Sequence, residues 1–186
     1  MKALCHQGTA VRAMVRKKPD KPAFPNSVEI AIADFDDAPS LRRALEGIDR
    51  VFLVTPSSER VEEQQLRFLD LAGRANVKHI VYLSQLHAKE DSPVRFLRYH
   101  AAVESALKQS GIAFTNLRPN LYMQGLLLFR QMIATQNQIA APIGDARVSI
   151  VDVRDIAAVA VSALTEDGHD GKPTTSPAPR HSPTQR

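Results

Sequence analysis

Three short apolar runs, each closed by a polar cluster, constrain this chain more than any other feature. Val11–Val15 ends in Arg16-Lys17-Lys18, Val28–Ala33 in Asp34-Phe35-Asp36-Asp37, and Val51–Val54 in Thr55-Pro56-Ser57. Ile80–Leu83 and Ala113–Leu117 repeat the pattern, ending at Ser84 and at Arg118-Pro119-Asn120. Strands apolar on both faces belong inside a parallel sheet, because crossover helices cover both of its sides. The chain therefore reads as α/β, a doubly wound parallel sheet with helices on both faces. In such a sheet a glycine-rich turn follows the first strand and opens the first helix. Lys2–His6, stopped by Gly8, reads as the tail of that helix. The first strand and its glycine loop are accordingly expected to be lacking, which leaves two unpaired sheet edges.

Between the strands, Pro39–Glu46 reads as a short helix stopped by Gly47, and Val61–Ala75 as an amphipathic one carried by Val61, Leu66, Leu69 and Ala72. Tyr99, Val103, Ala106 and Leu107 mark a helix closed by Gly111, and Leu121–Gln136 is expected to be helical with a break near Gly125. Val148–Val151 reads as a strand, and Val153–Leu164 as a helix begun by an Asp152 cap. One domain is expected over residues 1–172. Four of the twelve prolines fall in 173–186 with no apolar periodicity, the signature of a disordered tail.

The modest net charge of +4 and the absence of Trp argue against a nucleic-acid partner. No run is long enough to span a membrane, and the amino end is no signal peptide. A single cysteine, Cys5, fits a cytoplasmic protein. No metal-ligand cluster, P-loop or nucleophile elbow is present in the sequence.

Ligands of open parallel sheets bind beyond the carboxyl ends of the strands. That rule gathers Arg16, Asp34-Phe35, Thr55-Pro56, Ser84 and Pro119-Asn120 into one crevice. Arg16 follows the strand where an adenine ribose lies, and a guanidinium there forms bidentate bonds with a 2′-phosphate. Arg16, with Lys17 as a second cation, thus leans toward NADP(H) over NAD(H); a solvated basic loop is the bland alternative. Asp34 and Phe35 either edge the adenine or serve as turn cap and core. Thr55-Pro56 either approaches the cofactor or simply ends its strand. Ser84 is the candidate hydroxyl near the reacting group, with a turn serine as the alternative. His87 and His100 are candidate proton donors, each weighed against an exposed structural histidine.

These residues, with Leu41–Asp49, His79–Ser84, Leu117–Asn120 and Asp152–Ala157, resemble the NmrA-like group of atypical short-chain dehydrogenases/reductases. The resemblance implies a Rossmann-like NAD(P)-binding domain, usually for NADP(H). It implies hydride transfer to a small quinone-, azo- or carbonyl-type acceptor, or nucleotide sensing with a protein partner and no turnover. It places Arg12 or Arg16 at the 2′-phosphate and Asp34-Phe35 at the adenine. Thr55-Pro56 and Ser84 border the nicotinamide half. Pro119, Asn120, Tyr122 and Met123 lie toward cofactor and substrate. Where the superfamily carries its Tyr-x-x-x-Lys pair, this chain has Phe96 and His100. His100 and Ser84 are then the candidate catalytic groups. After Gly171-Lys172 the family commonly continues Thr-Tyr-Asp-Leu-Thr-Gly-Pro-Glu. Dropping one base from a permitted coding of that string yields Pro-Thr-Thr-Ser-Pro-Ala-Pro, the start of the tail at Pro173. The tail is therefore expected to be a frameshifted continuation, and the chain to be truncated at both ends, as in an inactive gene remnant.

Overall fold

A computed structural model describes residues 1–20, 23–139, 148–171 and 173–174. The chain begins with helix α1 (Lys2–His6), turned by Gly8 at φ +74° into strand β1 (Val11–Val15). Strand β2 (Val28–Ile32) pairs with β1 in parallel, Val11 opposite Val28. Helix α2 (Ala38–Leu45) leads to β3 (Arg50–Leu53), and α3 (Val61–Arg74) to β4 (His79–Leu83). Helix α4 (Arg95–Gln109) then leads to β5 (Ala113–Leu117). All these strand pairs are parallel, as unbroken apolar runs with helical crossovers require.

The sheet is interrupted. Among the described residues β1 and β2 pair only with each other, while β3, β4, β5 and β8 (Pro173–Thr174) form a second ladder. One core nevertheless joins the two pieces. Ala33 after β2, Leu53 of β3 and Ile80 and Tyr82 of β4 pack together under Leu41 of α2, Phe68 of α3 and Leu107 of α4. The opposite faces are barer, with Ile30 and Ile32 of β2 and Phe52 of β3 exposed. Helix α6 (Val153–Thr165) covers only part of this side, placing Ala160 and Ala163 against Val81 and Leu117. Asp152 caps it as expected, accepting a 2.7 Å bond from the Arg154 amide.

In a parallel ladder each residue turns its N–H and C=O to the same side, alternating along the strand. Val15 accepts from the Ala33 amide, so Arg12 and Met14 turn their amides away from β2. His79 donates to Asp49, which likewise turns the Phe52 amide away from β4. We expect these three amides to exchange with solvent roughly tenfold or more faster than those of Ala13, Val15 and Leu53. Equal protection in hydrogen-exchange NMR would show that the two edges are paired.

Two expectations are corrected. Leu121–Gln136 is not one helix: Leu121–Tyr122 forms β6, parallel to β7 (Ile150–Val151), before a 3-10 segment Met123–Phe129 and helix α5 (Arg130–Gln136). The consecutive Leu126-Leu127-Leu128 cannot share one face of an α-helix, and pairing with β7 draws the first two residues into a strand. The tail is not irregular at its start, because the backbone of Pro173–Thr174 extends the sheet beside Asn116–Leu117. The remainder of the expected tail, 175–186, lies outside the described residues.

Candidate functional site: a crevice at the strand ends

The carboxyl ends of β1, β3, β4 and β5 carry the predicted polar groups, each at its strand's exit, and the structure sorts them by what they already touch. Arg16 and Lys17, just past β1, are exposed and make no hydrogen bond or ion pair with any described residue. With Lys18 they form a cationic lip fit to meet a phosphate. Arg12 does not join them. Its Nη1 donates to the Ala44 and Glu46 carbonyls, at 3.0 and 2.7 Å, and its Nε lies 2.9 Å from Glu29 Oε2. A guanidinium there satisfies the orphan carbonyls at the end of α2 and is not available to a ligand.

Asp34 and Phe35 make local contacts and keep part of their surface accessible. Asp34 Oδ1 accepts from the Asp36 amide at 2.9 Å, a turn of the Asx type, and its own amide donates to Ser40 Oγ. The Phe35 ring packs 5.6 Å from Phe68. Past β3, Thr55 Oγ1 accepts from Gln65 Nε2 at 2.6 Å, while Pro56 is exposed. His87, exposed at φ +64°, lies on the loop after β4.

Ser84 is buried, at 2% exposure, and donates its proton to Glu104 Oε1 at 2.5 Å. That carboxylate, on α4, also accepts Arg118 Nε at 2.8 Å and is gripped by Arg118 Nη2 through its second oxygen. The Ser84 proton is thus directed at Glu104, and the lone pairs of its hydroxyl oxygen remain to accept. Glu104 and Arg118 thus form an ion pair at these strand exits; the sequence analysis named Arg118 only as a strand-end residue and did not name Glu104. Arg118, at the exit of β5, keeps about a quarter of its side chain exposed. Its bond to Glu104 raises its already high pKa further. Beside them Pro119 is buried and its carbonyl accepts from the Leu86 amide, while Asn120, Tyr122 and Met123 remain accessible.

His100 is not exposed. Its Nδ1 lies 2.7 Å from the Tyr82 hydroxyl, which in turn meets Gln65 Oε1 at 3.0 Å. The Phe96 ring stands edge-on against it at 4.8 Å. Burial pulls the His100 pKa down to about 4, against a smaller upward pull from Glu104. At neutral pH the imidazole is uncharged, so it is no imidazolium acid. The adjacent Tyr99 hydroxyl lies 3.0 Å from Ser57 Oγ.

The His100 shift has a consequence for stability. The unfolded chain binds this proton near pH 6.5 and the folded chain only near 4, so stability is full above pH 6.5 and falls as pH drops toward 4. The contribution is about 3 kcal/mol. In urea titrations from pH 7 to 4.5 we expect His100→Gln to remove a corresponding part of the acid sensitivity. An unchanged pH dependence would contradict the buried neutral imidazole.

The family comparison is decisive at this point: the model of the NmrA-like family matches residues 1–174. The chain belongs to the NmrA-like family. It is 38% identical over 152 residues to an NAD(P)H azoreductase of Xenophilus azovorans, covering 81% of this chain and 53% of the relative. It is 31% identical over 146 residues to quinone oxidoreductase 2 of Escherichia coli, covering 78% and 51%. Among solved structures, the NADPH complex of an E. coli NADPH-dependent quinone oxidoreductase superposes with a TM-score of 0.81 at 28% identity, covering 93% of this chain and 62% of that one. A Citrobacter sp. triphenylmethane reductase with NADP(H) gives 0.78 at 27% identity, covering 87% and 58%. The chain thus spans about half the length of the curated relatives it matches, and this NmrA-like protein has the Rossmann-like α/β fold of the solved reductases.

Proposed function

We propose that this chain carries the NADP(H)-reading crevice of an NmrA-like reductase, with NADPH preferred over NADH, and that its acceptor is a small quinone- or azo-type molecule. Arg16, exposed beside Lys17 at the exit of β1 and engaging no described residue, carries the reading. The residues fit the dinucleotide at two ends: a phosphate lip at β1, and polar groups at the exits of β3 to β5. Among the described residues no glycine-rich turn joins a strand to a helix.

The bound dinucleotide supplies the hydride. Arg16 holds the 2′-phosphate by charge-assisted bonds. Thr55, half-buried and tied to Gln65, borders the nicotinamide half, and Asn120, Tyr122 and Met123 face the acceptor. Ser84, its proton directed at Glu104, accepts from beneath, and His100 stays neutral. With Phe96 in the place of a catalytic tyrosine and His100 neutral, the proton that follows hydride would come from solvent. Activity would then rest on positioning. The lone Cys5 suits a reducing, cytoplasmic setting.

That replacement of the tyrosine favours a second reading, an NADP(H) sensor that binds without turnover. A panel of quinones and azo dyes with NADPH separates the two. Acceptor reduced in step with NADPH oxidised supports the reductase; binding with no oxidation across the panel supports the sensor.

A further inference from the structure

Resting on the NADP(H) reading above, we propose that the Glu104–Arg118 pair sets the balance of the crevice between oxidised and reduced cofactor. Leu83 and Leu117 are partners in the ladder, so Ser84 and Arg118 leave the sheet side by side at the exits of β4 and β5. On that face Glu104 is buried, at 3% exposure, and among the described residues it accepts hydrogen bonds from Ser84 and Arg118 alone. Arg118 is the partly exposed member. The pair is therefore a neutral unit whose cation faces outward and whose compensating anion lies beneath it.

The oxidised nicotinamide carries a positive charge and the reduced ring carries none. A neutral pair at the strand exits favours neither form strongly. Removing the buried anion leaves Arg118 uncompensated and repels the oxidised ring; removing Arg118 leaves Glu104 uncompensated and attracts it. The two substitutions therefore act in opposite directions on one ratio, Kd for NADP+ over Kd for NADPH. Damage to packing would shift both constants together and leave that ratio in place.

The test is calorimetric titration of the full chain and of each variant with NADP+ and with NADPH. We expect Glu104→Gln to raise the ratio roughly 3- to 10-fold, the range for one charge acting across several ångströms of partly screened surroundings. Arg118→Gln is expected to lower it by a similar factor, and the combined variant to return it to the starting value. If Arg118→Gln does not fold, Glu104→Gln decides alone. An unchanged ratio in variants that still bind, or shifts of the same sign, overturns the proposal while leaving the cofactor reading intact. An unmodified chain that binds neither form overturns the cofactor reading and this proposal with it.

Discussion

Replacing Arg16 by glutamate is expected to weaken NADPH binding by roughly 100-fold or more while changing NADH binding less than about threefold. Two charge-assisted bonds to a phosphate, at about 1.5 kcal/mol each, sum to about 3 kcal/mol, and each 1.4 kcal/mol is a factor of ten. Reversal of the charge adds repulsion. Arg16 is the appropriate target because it is exposed and engages no described residue, so its loss costs the fold little. Arg12, four residues earlier, is a control of the opposite kind. Its guanidinium holds the end of α2, and Arg12→Ala should lower stability without changing the preference between the two cofactors. Fluorescence titration with both dinucleotides checks each outcome. An Arg16→Glu variant that binds NADPH as well as the unmodified chain would remove the 2′-phosphate from this end of the crevice.

The second large effect concerns stability. Arg118→Ala is expected to cost about 2–4 kcal/mol, because it leaves the Glu104 carboxylate buried without its cation; the usual figure for breaking such a pair is reduced here for the partial exposure of Arg118. For a chain of this size that corresponds to a melting temperature lower by roughly 5–15 °C. Replacing both partners, Glu104→Gln with Arg118→Met, should recover much of the loss, since no unpaired charge then remains. Thermal melts of the two variants and the unmodified chain test this. A single Arg118→Ala variant as stable as the unmodified chain would mean that the carboxylate finds other partners.

What could be read from the sequence follows the range of the interactions. β1 and β5 match their expected bounds, β2 and β4 differ by a residue at one end and β3 by a residue at each end, because buried strands announce themselves in consecutive apolar residues. Gly8, Gly47 and Gly111 adopt positive φ where helices were expected to stop. Leu121–Tyr122 escaped because its partner strand lies 29 residues downstream, and no local period records that pairing. The site was legible to the extent that strand exits are. Arg16, Thr55 and Ser84 were named from position alone, but the partners of Thr55 and Ser84 were not. Glu104 sits among the apolar residues of α4 and acquires its role only when that helix packs over the exits of β4 and β5. His100 was read as accessible, yet the same packing buries it against Tyr82 and Phe96. Charged or polar residues on buried faces carry little local signal about what they will meet.

The central claim is that the crevice at the strand exits takes NADP(H) and reads its 2′-phosphate. Calorimetric titration of the unmodified chain with NADPH and with NADH tests it most directly. The account predicts saturable binding of both, with NADPH tighter by about tenfold or more. Equal affinity for the two, or no binding of either, would contradict it.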